Sequence, residues 1–113
     1  DTFPAFRRTL AAAGLEETVV PLVCPSALAA RGWATPLALV FIDGGHSFDA
    51  AHGDYRAWSE HLLPGGYLLI HDIFLDPAEG GQAPREVYRI ARGSGRFDEL
   101  PMTQTLGVLQ RRG

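Results

Sequence analysis

The run Leu37–Asp72, LALVFIDGGHSFDAAHGDYRAWSEHLLPGGYLLIHD, constrains this chain more than any other stretch. Leu37 to Ile42 is an unbroken apolar segment, the pattern of a strand buried on both faces of a parallel sheet. It ends abruptly at Asp43-Gly44-Gly45-His46. From Phe48 the period changes: Phe48, Ala51, Tyr55, Trp58 and Leu62 step by three and four and form one apolar helical face. Ser47 is placed to cap that helix, and Asp49 falls in its first turn, where the helix dipole favours negative charge. Pro64-Gly65-Gly66 is expected to stop the helix and turn the chain. Tyr67 to Ile70 is a second apolar run, ending at His71-Asp72. Strand, helix and strand make a β-α-β unit.

Both strands carry ionisable groups at the same end. In an open parallel sheet, ligands bind outside the carboxyl ends of the strands. Asp43 and His46 come after the first strand; His71 and Asp72 come after the second. If the strands are neighbours, these groups converge. Two carboxylates with one or two imidazoles can hold a divalent ion or place a base beside a substrate hydroxyl. A single polar tip would mark no more than the chain's return to solvent. Two matched tips point to a site.

Charge and composition narrow the function classes. A chain of 113 residues is at most one domain, and a hydrophobic fraction of 46% supports a core. A formal charge of −3 without a basic cluster argues against nucleic acid as a partner. The lone cysteine, Cys24, excludes an internal disulfide and suits a reducing compartment; it reads as a small buried apolar group. No apolar stretch approaches the roughly 20 residues of a membrane span, and the first residues show no signal-peptide pattern. A cytoplasmic location and no membrane partner are expected.

The flanking segments supply further elements. Phe3, Phe6, Leu10 and Ala13 keep helical spacing, with Thr2 as cap, Pro4 in the first turn and Gly14 at the end. Thr18 to Val23 is β-rich and reads as a strand interrupted by Pro21. Ser26 to Arg31 predicts a short helix ending at Gly32. Asp76 to Ala83 reads as a polar loop. Pro84 opens a helix through Arg92, with Val87, Ile90 and Ala91 on its buried side. Phe97 to Leu100 and Thr105 to Gln110 read as an antiparallel pair at the sheet edge, joined through Pro101. His52 and His61 read as flank residues, and Asp54 as part of a solvated helix face.

The block Phe41–Ile73, FIDGGHSFDAAHGDYRAWSEHLLPGGYLLIHDI, resembles the second half of class I S-adenosylmethionine-dependent methyltransferases. Within that family it is most similar to the branch whose fourth strand ends in IDG-x-H and whose fifth ends in HD. TFPAFRRTLAAAGLEETVVPLV is similar to the family's second helix and third strand, and LGVLQRR to its terminal hairpin. The resemblance implies a Rossmann-like α/β fold: a mostly parallel sheet with a C-terminal antiparallel hairpin. It also implies that residues 1–113 are one domain, the C-terminal part of a methyltransferase. The glycine-rich donor loop and the acidic residue that holds the ribose are then expected upstream of Asp1.

The same resemblance implies roles for particular residues. Asp43 matches the acidic tip residue that binds a divalent ion beside the methyl donor. Asp72, with His71, matches the tip that completes this metal site. His46 matches the tip histidine and becomes the candidate general base, with Asp43 as its catalytic neighbour. Ser26 falls where the family borders the adenine, with Pro25 replacing an acidic neighbour. Relatives often carry a second acidic residue where this chain has Gly45, which shifts the base role to His46.

Methyl transfer from a sulfonium is an in-line displacement, so positioning, deprotonation and charge stabilisation fall to the protein. Asp43 and Asp72 would hold the ion that orients an acceptor hydroxyl. An imidazole, with an ordinary pKa of about 6.5, can accept the proton near neutrality. Oxygen ligands suit Mg²⁺, and a nitrogen from His71 shifts preference toward Mn²⁺. The expected activity is O-directed methylation of a small molecule, with S-adenosylmethionine and Mg²⁺ or Mn²⁺ as cofactors. Two alternatives stand beside it. One is a catalytically silent module of this fold, kept for homo-oligomer formation or regulation. The other is a metal-dependent α/β hydrolase using the same two tips.

Overall fold

A computed structural model describes residues 1–45 and 47–113. Its elements, in chain order, are α1 (Phe3–Ala12), α2 (Ser26–Arg31), β1 (Leu37–Ile42), α3 (Phe48–Ser59), β2 (Leu62–Ile70), α4 (Ala83–Gly93), β3 (Phe97–Thr103) and β4 (Leu106–Arg111). A single 3-10 turn, Pro77–Glu79, lies inside the loop before α4. The strands form one sheet in the order β1-β2-β4-β3.

The β-α-β unit is present, and β1 pairs with β2 in parallel. β2 then pairs with β4, and β4 with β3, both antiparallel. The sheet is therefore mixed, and the expectation of a mostly parallel sheet is corrected: one described pairing of three is parallel. The C-terminal antiparallel hairpin is as expected, although β4 lies inside the sheet and only β3 at its edge. Thr18–Val23 forms no strand. Its side chains have the right propensity, but no strand lies beside it to complete a ladder, and Val20 and Val23 are each 73% exposed. Cys24, at the end of this segment, is exposed rather than buried.

Pro64-Gly65-Gly66 serves a different purpose from the one expected. α3 ends earlier, at Ser59, and the three residues lie within β2. The register slips between the pairs Leu37↔Leu62 and Leu39↔Tyr67, so β2 bulges there. Gly65 has φ +83°, and a Cβ on Gly66 would meet the carbonyl oxygens of Leu63 and Ala38 at 2.9 and 3.0 Å. Gly65 adopts this backbone without strain, and Gly66 leaves room for the neighbouring carbonyls.

One face of the sheet carries the core. Val40, Leu68 and Leu109 form a row across three strands, and Ile42, Ile70 and Gly107 form the next. α3 and α4 cover these rows with Ala51, Tyr55, Val87, Tyr88 and Ala91. Gly107 makes room for a ring: a Cβ there would lie 2.7 Å from two carbons of Tyr88. In α4 it is Tyr88, not Ile90, that joins Val87 and Ala91 in the core; Ile90 is 37% exposed. The opposite face is open. Leu39, Phe41 and Tyr67 are exposed there, so β1 is buried on one face only, not two.

Capping follows the expectation at α3 and departs from it at α1. The Ser47 hydroxyl accepts the Ala50 N–H at 3.1 Å, which starts α3 directly behind the tip of β1. Thr2 makes no side-chain cap; the Asp1 carboxylate accepts the Phe3 N–H at 3.0 Å instead.

Candidate active site

The register that pairs Ile42 with Ile70 extends beyond the strands to their tips. The His71 N–H donates to the Ile42 carbonyl at 3.1 Å, which carries the pairing one step further. Asp43 and His71 are thereby held side by side. His71 Nδ1 lies 3.1 Å from Asp43 Oδ1 and 3.1 Å from Asp72 Oδ1. The ring of Phe41 meets His71 edge-on, with centroids 6.3 Å apart, and limits its orientation.

Asp72 has φ +64°, a left-handed backbone that aspartate tolerates better than most residues. The turn lets the next residue, Ile73, enter the core at 2% exposure, while the Asp72 carboxylate stays at the tip beside His71. The Ile73 N–H donates to the Thr105 carbonyl at 2.9 Å and fixes the change of direction. Burial of Ile73 thus helps to hold the Asp72 carboxylate at the tip.

Asp43, His71 and Asp72 each offer a ligand atom, and these atoms lie within 4.8 Å of one another. A mixed oxygen and nitrogen set of this span matches what a divalent ion uses. Without an ion, His71 Nδ1 is within hydrogen-bond reach of Asp43 and within ion-pair distance of Asp72. Its members are partly open to solvent, with side-chain exposures from 31% to 50%.

The other expected residues lie around this cluster or outside it. His46, the candidate base, lies outside the described residues. Ser26 starts α2, and its hydroxyl accepts the Trp58 indole N–H at 2.7 Å. Ser26 and Asp43 line one cleft of about 380 Å³ together with Phe41, Gly44, Asp54 and Trp58. Gly45 presses on α3: a Cβ there would fall 2.8 Å from the Ala50 Cβ. A side chain larger than glycine's therefore does not fit here unless the tip or α3 shifts. His61 Nε2 lies 3.1 Å from the Ala30 carbonyl and joins α3 to α2, and His52 stacks on Phe48; both keep to the flank.

A family model described as a methyltransferase domain matches residues 1–73. The chain belongs to this methyltransferase family. The matched region runs from the first residue through both tips and ends one residue after Asp72. Within the methyltransferase domain, periodicity missed two residues of the cleft. Asp54 sits on the helical face turned toward Gly44, and Trp58, expected only as part of the apolar face, reaches Ser26. The signal that could have found Asp54 is its position seven residues into the helix that starts behind the tip, two turns along the same side. No described helix is long and apolar enough to cross a membrane.

Proposed function

We propose that this methyltransferase domain transfers the methyl group of S-adenosylmethionine to a hydroxyl of a small molecule, with a divalent ion held at the two tips. The convergence of Asp43, His71 and Asp72 carries this reading. These three residues would hold the ion, which when bound lowers the pKa of a coordinated hydroxyl. The nitrogen of His71 favours Mn²⁺ or a similar transition ion over Mg²⁺. Asp43 borders both the metal cluster and the cleft, so it would set the distance between acceptor and donor. His46, three residues after Asp43 in sequence, is assigned the base role on sequence grounds.

The rest of the donor site belongs, on this proposal, beyond these residues. β1 has no ladder partner on its outer side among the described residues, and Leu39, Phe41 and Tyr67 lie open beside that edge. Parallel strands are ordinarily covered on both faces. A further strand-helix unit bearing the glycine-rich donor loop would complete a Rossmann-like sheet here, making residues 1–113 the C-terminal part of the domain.

The test is an assay of methyl transfer to a panel of hydroxyl-bearing acceptors by the full-length protein, with and without chelator. Transfer that stops on chelation and returns with Mn²⁺ supports the reading. His46→Ala should lower turnover about 10²–10⁴-fold with little change in donor affinity. Full transfer in excess chelator would exclude the metal role.

A further inference from the structure

Two carboxylates meet the His71 imidazole at one and the same atom. Asp43 Oδ1 and Asp72 Oδ1 each lie 3.1 Å from Nδ1. Contacts at that atom place it, but they hold the rest of the ring only weakly, because the χ2 torsion of histidine is broad. The His71 side chain is 40% exposed, so close packing does not fix the plane either.

A contact on the ring itself comes from Phe41. In the parallel ladder Phe41 stands opposite Leu69. Side chains alternate along a strand, so His71, two residues after Leu69, lies on the same face as Phe41 and diagonal to it. The two rings meet edge-on, with centroids 6.3 Å apart and planes at 71°. That is within the roughly 4.5–7 Å of favourable edge-to-face pairs. Phe41 belongs to β1, so its ring projects from a paired strand rather than from a loop. Val40 and Ile42 on either side of it enter the core, whereas Phe41 is 52% exposed.

We propose that Phe41 is a positioning residue: it holds the His71 ring in the plane that a divalent ion needs, and so makes the tip cluster prefer Mn²⁺ to Mg²⁺. The lone pair of an imidazole nitrogen lies in the ring plane, and a tilted ring no longer aims it at the ion. Carboxylate oxygens accept an ion over a wider range of angles, so Asp43 and Asp72 keep their hold when the ring tilts. Mg²⁺ is bound through oxygen, whereas Mn²⁺ gains more from a nitrogen ligand. Loosening the ring therefore costs Mn²⁺ more than Mg²⁺. This assignment rests on Asp43, His71 and Asp72 holding an ion.

The test is calorimetric titration of metal-stripped full-length protein with Mn²⁺ and, separately, with Mg²⁺. Wild type should bind Mn²⁺ more tightly. Phe41→Leu keeps an apolar side chain but no ring; it should weaken Mn²⁺ binding about tenfold and Mg²⁺ binding by less than about threefold. Phe41→Met repeats the measurement with a second side chain that lacks a ring, and Phe41→Tyr, which keeps the ring, should restore the wild-type ratio. In a His71→Ala background, Phe41→Leu should leave Mn²⁺ affinity unchanged, because its effect runs through the imidazole. A purely structural role would instead lower both affinities alike in either background. Ring-free variants that keep the wild-type ratio overturn the assignment, as does an undiminished effect in the His71→Ala background or a wild type that binds the two ions equally; in each case the metal reading survives. A wild type that binds neither ion removes the metal reading, and this assignment with it.

Discussion

At the scale of single residues, Asp72 shows how the fold and the site share one side chain. Its left-handed backbone sends Ile73 into the core and leaves its carboxylate at the tip. The two roles separate by substitution. Asparagine also tolerates this conformation, so Asp72→Asn should keep a near-wild-type melting temperature while losing the charge at His71. Alanine does not, and Asp72→Ala should cost about 1–2 kcal/mol in addition. Equal melting temperatures for the two variants would show that the turn carries no strain. The convergence of Asp43 and Asp72 was legible in the sequence because each follows an apolar run, and strand ends are where polar groups can meet. Asp54 was not, because a helical face read by period alone does not reveal which side borders a tip.

At the scale of elements, α4 and the hairpin meet through Tyr88, whose ring packs onto Gly107. Its hydroxyl is buried with no hydrogen-bond partner among the described residues. Burial, assisted by the nearby charge of Glu99, raises its pKa above the ordinary 10.0, with Arg92 acting in the opposite direction. The folded state thus holds the phenol proton more tightly than the unfolded chain. That contribution is complete below pH 10 and is lost as pH rises through the folded value. Tyr88→Phe should therefore match or exceed wild-type stability at neutral pH, since it removes an unsatisfied hydroxyl. It should also flatten the alkaline fall in melting temperature; an unchanged alkaline limb would assign that fall to other groups. The ends of the elements were the hardest part to read. Pro64-Gly65-Gly66 has the composition of a helix stop, and only the position of β1 beside it makes it a bulge. Thr18–Val23 has the composition of a strand, but a strand exists only with a partner. Leu37–Ile42 was legible to the residue, because its apolar run is bounded by Pro36 and Asp43.

At the scale of the whole molecule, the sheet is covered on one face and open on the other. α3 and α4 close the inner face, while Leu39, Phe41 and Tyr67 remain exposed near the side of β1 that has no ladder partner among the described residues. The proposed donor-binding unit would cover that region. Accordingly, the 113-residue chain alone should bind S-adenosylmethionine weakly or not at all by calorimetry. Micromolar affinity in that chain would place the donor site within these residues.

The central claim is that two strand tips of this methyltransferase domain make one metal-holding site, and metal titration tests it most directly. Mn²⁺ is titrated calorimetrically into metal-stripped full-length protein, first wild type and then Asp43→Asn, Asp72→Asn and His71→Ala. Wild type should bind one ion per chain, and each variant should bind it about tenfold more weakly or worse, with the fold intact by circular dichroism. Equal Mn²⁺ affinity in wild type and Asp43→Asn would contradict the claim, leaving Asp43, His71 and Asp72 as an ion-pair cluster that only ties the two tips together.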